Sequence, residues 1–142
     1  MVPHIIPYQP YLEYLLTKAL HDEGVKDDEI HINTDPTFIV ADESGYAGFV
    51  TFRMEHGYPR LVHFLGFKGR RNFDTLRMLF KALIGAVIMT GAVMFIGTVP
   101  KDKQYFRRFI KRWVGKDEPY SIDEEGTRQY LIPVIGKGGQ IL

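Results

Sequence analysis

The stretch Gly66-Phe67-Lys68-Gly69-Arg70-Arg71-Asn72 sets two glycines and three cations between a short apolar run and a long amphipathic one. Residues of these types suit anion capture. A strand that feeds a helix through a glycine-bearing turn gathers unpaired backbone N–H groups and the positive end of the helix dipole in one place, and the cations add attraction. Asn72 is placed to cap the helix. The alternative is a plain strand-to-helix connection whose cations are only solvated. Proton handling has its own candidates. Glu55 and His56 close one apolar run, and His63 lies inside the next. Carboxylates and imidazoles accept and return protons near neutral pH. Each also has a structural reading, His63 as a packed core histidine and Glu55-His56, beside Gly57, as a turn. No nucleophile paired with a base stands out. The five histidines are scattered without ligand spacing, and the chain has no cysteine, so a metal site is not expected and disulfides are excluded.

The elements that must position these groups follow from periodicity. Arg60 to Phe67 reads as a buried strand. Downstream, Phe73, Leu76, Phe80, Leu83, Ile84 and Val87 fall at helical spacing, with Arg77 and Lys81 on another face. His4-Ile5-Ile6 opens a strand, and Pro10 starts a helix with Leu12, Leu15, Leu16, Ala19 and Leu20 on one face and Gly24 as its stop. Thr37–Ala41 and Tyr46–Met54 form a hairpin across Asp42–Gly45, and Gly57-Tyr58-Pro59 turns the chain into the Leu61–Phe67 strand. Beyond the central helix come a strand at Ala92–Gly97, a helix that Asp102 caps, and a final hairpin from Tyr120-Ser121-Ile122 and Arg128–Val134. A glycine-bearing tail runs from Gly136 to Leu142.

The 142 residues, 45% hydrophobic and 25% charged, suit one globular domain spanning 1–142. A net charge of +1 gives no strong nucleic-acid signal. Ala82 to Pro100 carries no charge and has the length of a membrane span, but its glycines and terminal proline favour half a helix, a turn at Thr90-Gly91 and a buried strand. The first ten residues lack the basic start and apolar block of a signal peptide, which points to the cytoplasm. The last helix places Tyr105, Phe106, Phe109, Ile110, Trp113 and Val114 on one face and Arg107, Arg108, Lys111 and Arg112 on the other. That basic face is either solvated or a patch for an acidic partner or a phosphorylated ligand.

The order strand, helix, three-strand meander, helix, strand, helix, terminal hairpin, together with the Leu61–Asn72 turn and the Phe109–Gly115 helix end, resembles the GNAT superfamily of acyl-CoA N-acyltransferases. The resemblance implies an α/β fold, a twisted mixed sheet of about six or seven strands with helices on both faces. It implies acetyl-CoA as cofactor. The strand end Phe64-Leu65-Gly66 would meet the pantetheine arm, and Lys68, Gly69, Arg70, Arg71 and Asn72 would surround the pyrophosphate. Glu55 or His63 would then be the base that strips the proton from an amine substrate. The loop departs from the family's Q/R-x-x-G-x-G/A pattern, with Asn72 and Phe73 where the pyrophosphate approaches. If Gly115 is the family's helix-end glycine, Lys111 stands where the general-acid tyrosine is usual, and Tyr105 lies well upstream. This weakened pattern resembles small GNAT-like proteins of tailed bacteriophages. It implies, as the alternative to an enzyme, a non-catalytic role in virion assembly or host interaction. The partner would then be a phage structural or host protein, in the host cytoplasm or in the virion.

Overall fold

The computed structural model describes residues 4–136, without the side chain of Tyr105. Seven strands, β1 (His4–Pro7), β2 (Thr37–Asp42), β3 (Gly45–Glu55), β4 (Tyr58–Gly66), β5 (Met94–Val99), β6 (Ser121–Ile122) and β7 (Arg128–Pro133), join in the order β1-β2-β3-β4-β5-β7-β6. The sheet is mixed. β1–β2, β2–β3, β5–β7 and β6–β7 pair antiparallel, whereas β4 and β5 pair parallel with Arg60 opposite Ile96. The α-helices among the described residues are α1 (Glu13–Asp22), α2 (Phe73–Met89) and α3 (Gln104–Val114). None is long and apolar enough to cross a membrane. The uncharged stretch after Ala82 is divided, as its glycines predict, between the end of α2, a turn and β5. Of the glycine-bearing tail only Gly136 is among the described residues; 137–142 lie outside them.

The chain forms two compact units, one of Met1–Arg53 with Val62–Leu83 and one of Met54–Leu61 with Ile84–Leu142. In the first, the apolar stripe of α1 turns Leu16 and Leu20 onto Ile39, Phe49 and Phe67, and Leu12 joins them from the 3-10 turn Pro10–Leu12. The 3.6-residue period puts these side chains on one face, so the helix and the β2–β3 hairpin bury a shared core. A second cluster sets Val40 against Leu79 and Ala82 of α2. In the second unit α3 buries Phe106, Ile110 and Trp113, and β5 and β7 bury Phe95, Ile96, Tyr130 and Ile132. The Trp113 indole N–H donates to the Pro133 carbonyl at 2.7 Å, which ties α3 to the end of β7.

Four local expectations are corrected. β4 begins at Tyr58, because the β3–β4 turn needs only His56 and Gly57, both at positive φ (53° and 84°), the geometry of a two-residue hairpin loop. β5 starts two residues later than Ala92. Asp102 does not cap α3; Lys103 holds the cap position and makes no side-chain cap bond. Phe73 lies at the outset of α2 with 55% of its surface exposed, so the buried face of that helix begins later.

Candidate functional site

The Gly66–Asn72 turn is built by its own backbone. Phe67 N–H donates to the Ala47 carbonyl at 2.9 Å, and Arg70 N–H closes a tight turn onto the Phe67 carbonyl at 2.9 Å. Gly69 sits inside that turn at φ +87°, a conformation that side-chain-bearing residues avoid, and a Cβ there would meet nothing within 4 Å. Asn72 is the cap its position predicts: its Oδ1 accepts the Thr75 N–H at 2.9 Å. A helix start has four donors without an intrahelical partner. Here Asn72 N–H is spent on the Arg70 carbonyl and Thr75 N–H on the cap. Among the described residues the N–H groups of Phe73 and Asp74 have no acceptor, although the Asp74 carboxylate in the same turn repels an anion.

The loop cations are mostly committed within the chain. Arg70 pairs with Asp42 and reaches the carbonyls of Gly45 (3.5 Å) and Tyr46 (3.4 Å), stapling the turn to the β2–β3 hairpin. The guanidinium's hydrogen bond holds the Asp42 carboxyl below the usual carboxylate range, against the opposing effect of burial. Arg71 pairs with Glu23 at the end of α1 and donates to the Gly66 carbonyl at 2.9 Å. Lys68 is the loop cation that, among the described residues, has no carboxylate within ion-pair distance. It lines an open cavity of about 460 Å³ together with Phe67, Arg71 and Lys18. On β4, Leu65 packs with the α1 core and Phe64 with the Val40–Leu79 cluster, the alternation a strand imposes.

His63 is 7% exposed, and its Nε2 accepts the His31 N–H at 3.2 Å. Burial pushes its imidazole down to about 4, with His31 and Arg53 adding to the shift and Asp35 opposing it. At neutral pH the ring is uncharged, and the lone pair that would take a proton is already engaged. Glu55 is differently placed. Its carboxylate accepts from Arg60 Nε at 2.5 Å, with the exposed His56 ring 3.9 Å away. Arg60 Nη1 also donates to Thr98 Oγ1 (3.1 Å) and Gln129 Oε1 (2.8 Å), so the start of β4 is knitted to β5 and β7 beside the parallel pair.

At the end of α3, Gly115 adopts φ +97° and its N–H donates to the Lys111 carbonyl at 2.7 Å. Lys111 itself is exposed. Tyr130 and Arg107 both donate to Asp117, Arg107 at 2.7 Å. Burial pushes the Asp117 carboxyl up, but these bonds outweigh it and hold it below the carboxylate range. Among the described residues no group of three or more metal-binding side chains comes together.

The sequence marks the turn and its cap and offers Glu55 and His63 as candidate bases, but it does not show Asp42, Glu23, His31 and Arg60, the groups those residues contact. Arg60 alone had a nearby signal, its short separation from Glu55. The others come from elements distant in sequence, and no spacing marks them.

No protein-family model matches this chain, and no curated protein matches it by sequence. Solved structures do. An acetyltransferase of the GNAT family from Staphylococcus aureus superposes with a TM-score of 0.64 at 15% identity, covering 94% of this chain and 99% of that one. Aminoglycoside 6'-acetyltransferase type Ii gives 0.70 at 14% identity over 96% and 99%. N-acetylglutamate synthase from Neisseria gonorrhoeae, complexed with coenzyme A and N-acetyl-glutamate, gives 0.67 at 10% identity, with 94% of this chain matching 35% of that larger one. The chain therefore has the GNAT fold.

Proposed function

We propose that this GNAT-fold chain binds acyl-CoA and transfers the acyl group to an amine by direct attack. The observation that carries the reading is the Gly66–Asn72 turn, where a glycine leaves the backbone open and, among the described residues, the N–H groups of Phe73 and Asp74 at the head of α2 have no acceptor. The turn fits a pyrophosphate through its backbone rather than through its arginines. Phe73 and Asp74 would hold the phosphate oxygens, Lys68 would add screened attraction, and the Phe64-Leu65-Gly66 strand end would meet the pantetheine arm. Bound acetyl-CoA supplies a thioester carbonyl activated toward an amine. Glu55 is the more accessible of the two bases: its carboxylate is partly exposed with Arg60 holding one oxygen, whereas the Nε2 of His63 is buried and occupied. Glu55 would take the ammonium proton, freeing the nitrogen lone pair to attack. As the C–N bond forms the thioester C–S bond would break, and coenzyme A would leave as the thiol, its proton coming from the second proton the nitrogen gives up, by way of solvent. The coenzyme A bound to the gonococcal neighbour of the same fold supports the cofactor assignment.

Titration calorimetry of the whole protein with acetyl-CoA tests this reading. Binding at micromolar to millimolar concentration is expected, lost in Gly69→Val, whose side chain strains the turn and blocks approach. No heat at millimolar acetyl-CoA would sink it. A second reading is a non-catalytic assembly or host-interaction protein, phage-encoded, on the same fold. It is favoured by the pairing of Arg70 with Asp42 and Arg71 with Glu23, which leaves the loop little free charge for a phosphate. Cofactor binding without acetylation of any amine tried would support the second reading.

A further inference from the structure

The basic helix remains unused by that function. α3 carries Arg107, Arg108, Lys111 and Arg112 and has no carboxylate in its sequence. Its inner face is fixed, since Phe106, Ile110 and Trp113 are buried and the indole is bonded to Pro133. Arg107 is accounted for by Asp117. Arg108, Lys111 and Arg112 are exposed, and among the described residues no carboxylate stands within ion-pair distance of them. They sit three and four residues apart, the spacing at which like charges on a helix repel. The helix dipole favours Lys111 and Arg112 in the last turn but gives no support to Arg108. The arrangement therefore opposes helix stability at this position without a local counter-ion.

We propose that the outer face of α3 is a docking surface for a short acidic segment of a partner protein, a run of a few aspartates or glutamates. The size and surroundings of the patch choose this occupant over a nucleic acid. Arg108 to Arg112 spans only about 6 Å of helix axis. Carboxylates bracket it: Glu118 pairs with Lys116 at 2.9 Å beyond the C-terminal end. At the other end a Cβ on Gly126 would stand 3.0 Å from the Lys101 side chain, which brings the Asp123–Gly126 turn, with Glu124 and Glu125, beside the approach to α3. A long polyphosphate running past the patch meets these acids, while a short acidic segment ends within it. Of the aromatic rings described on α3, Phe106 and Trp113 are buried and Phe109 is half-buried, so none is fully presented for a base to stack on.

Fluorescence anisotropy with labelled octaglutamate, using the whole protein, tests the proposal. The wild type should bind at low salt and weaken as salt rises. Arg108→Glu/Arg112→Glu should bind about tenfold more weakly or worse. Arg77→Glu/Lys81→Glu, an equal charge change on exposed positions of α2, should bind as wild type. Lys111→Gln, which removes one charge without reversal, should give a smaller loss and stands in if the double variant melts early. No binding at low salt overturns the proposal. So does an equal loss in the α2 variant, which would mean diffuse attraction, and so does tighter binding of an RNA duplex than of the peptide.

Discussion

His63 makes the fold measurably sensitive to acid. Its folded value is about 4, against an ordinary histidine value of 6.5, so the unfolded chain binds a proton over that interval and the folded chain does not. Stability from this group is complete above pH 6.5 and drains away as pH falls toward 4, since protons then favour the unfolded state. The limiting loss is about 3 kcal/mol for a shift of this size, with about 2 kcal/mol already gone at pH 5. Urea unfolding followed by tryptophan fluorescence from pH 7 to pH 4 should show that slope, in a window above the one in which Asp42 and Asp117 titrate. His63→Gln keeps a side-chain acceptor for the His31 N–H but cannot titrate, so its stability should fall much less over the same interval. An unchanged slope in His63→Gln, or a ring titrating near 6.5 by NMR, would refute the reasoning. The second outcome would also restore His63 as a candidate base.

Other consequences are more local. Trp113→Ala empties a buried site and leaves the Pro133 carbonyl without its donor, so thermal or urea melting should show a loss of about 3–5 kcal/mol. Asn72→Ala removes the α2 cap and should cost about 1 kcal/mol in the same assay. Because it frees the Thr75 N–H, it should not weaken acetyl-CoA binding. Arg70→Ala should lower the melting temperature more than Lys68→Ala, because Arg70 staples the turn to Asp42. The Asp42 contribution, present above the ordinary carboxylate value and lost as pH falls through its depressed folded value, should disappear from the pH profile of the Arg70 variant.

The parts of the fold that could be read from the chain are those written in local periodicity. The α1 stripe and the Phe106, Ile110 and Trp113 face of α3 repeat an apolar residue every three or four positions and fold as that pattern requires, and Asn72 caps α2 from the position its residue type predicts. The sequence places the start of β4 too late because Tyr58 and Pro59 look like turn residues, while the two-residue loop depends on positive φ at His56, which no composition rule announces. The candidate site shows the same division. Strand, glycine turn, cations and cap are contiguous, so the turn could be found. What its cations do depends on Asp42 and Glu23, which folding brings from β2 and from the end of α1. An arginine beside a resident carboxylate has little charge left to offer a phosphate; one without such a partner can act as a ligand. Read from its sequence this turn is a basic loop, and read from its structure it is a nearly neutralised one. On the proposed reading, a phosphate would then be held by the backbone N–H groups of Phe73 and Asp74. The affinity of the turn for acetyl-CoA should accordingly be far more sensitive to a side chain at Gly69 than to the loss of charge at Arg70 or Arg71.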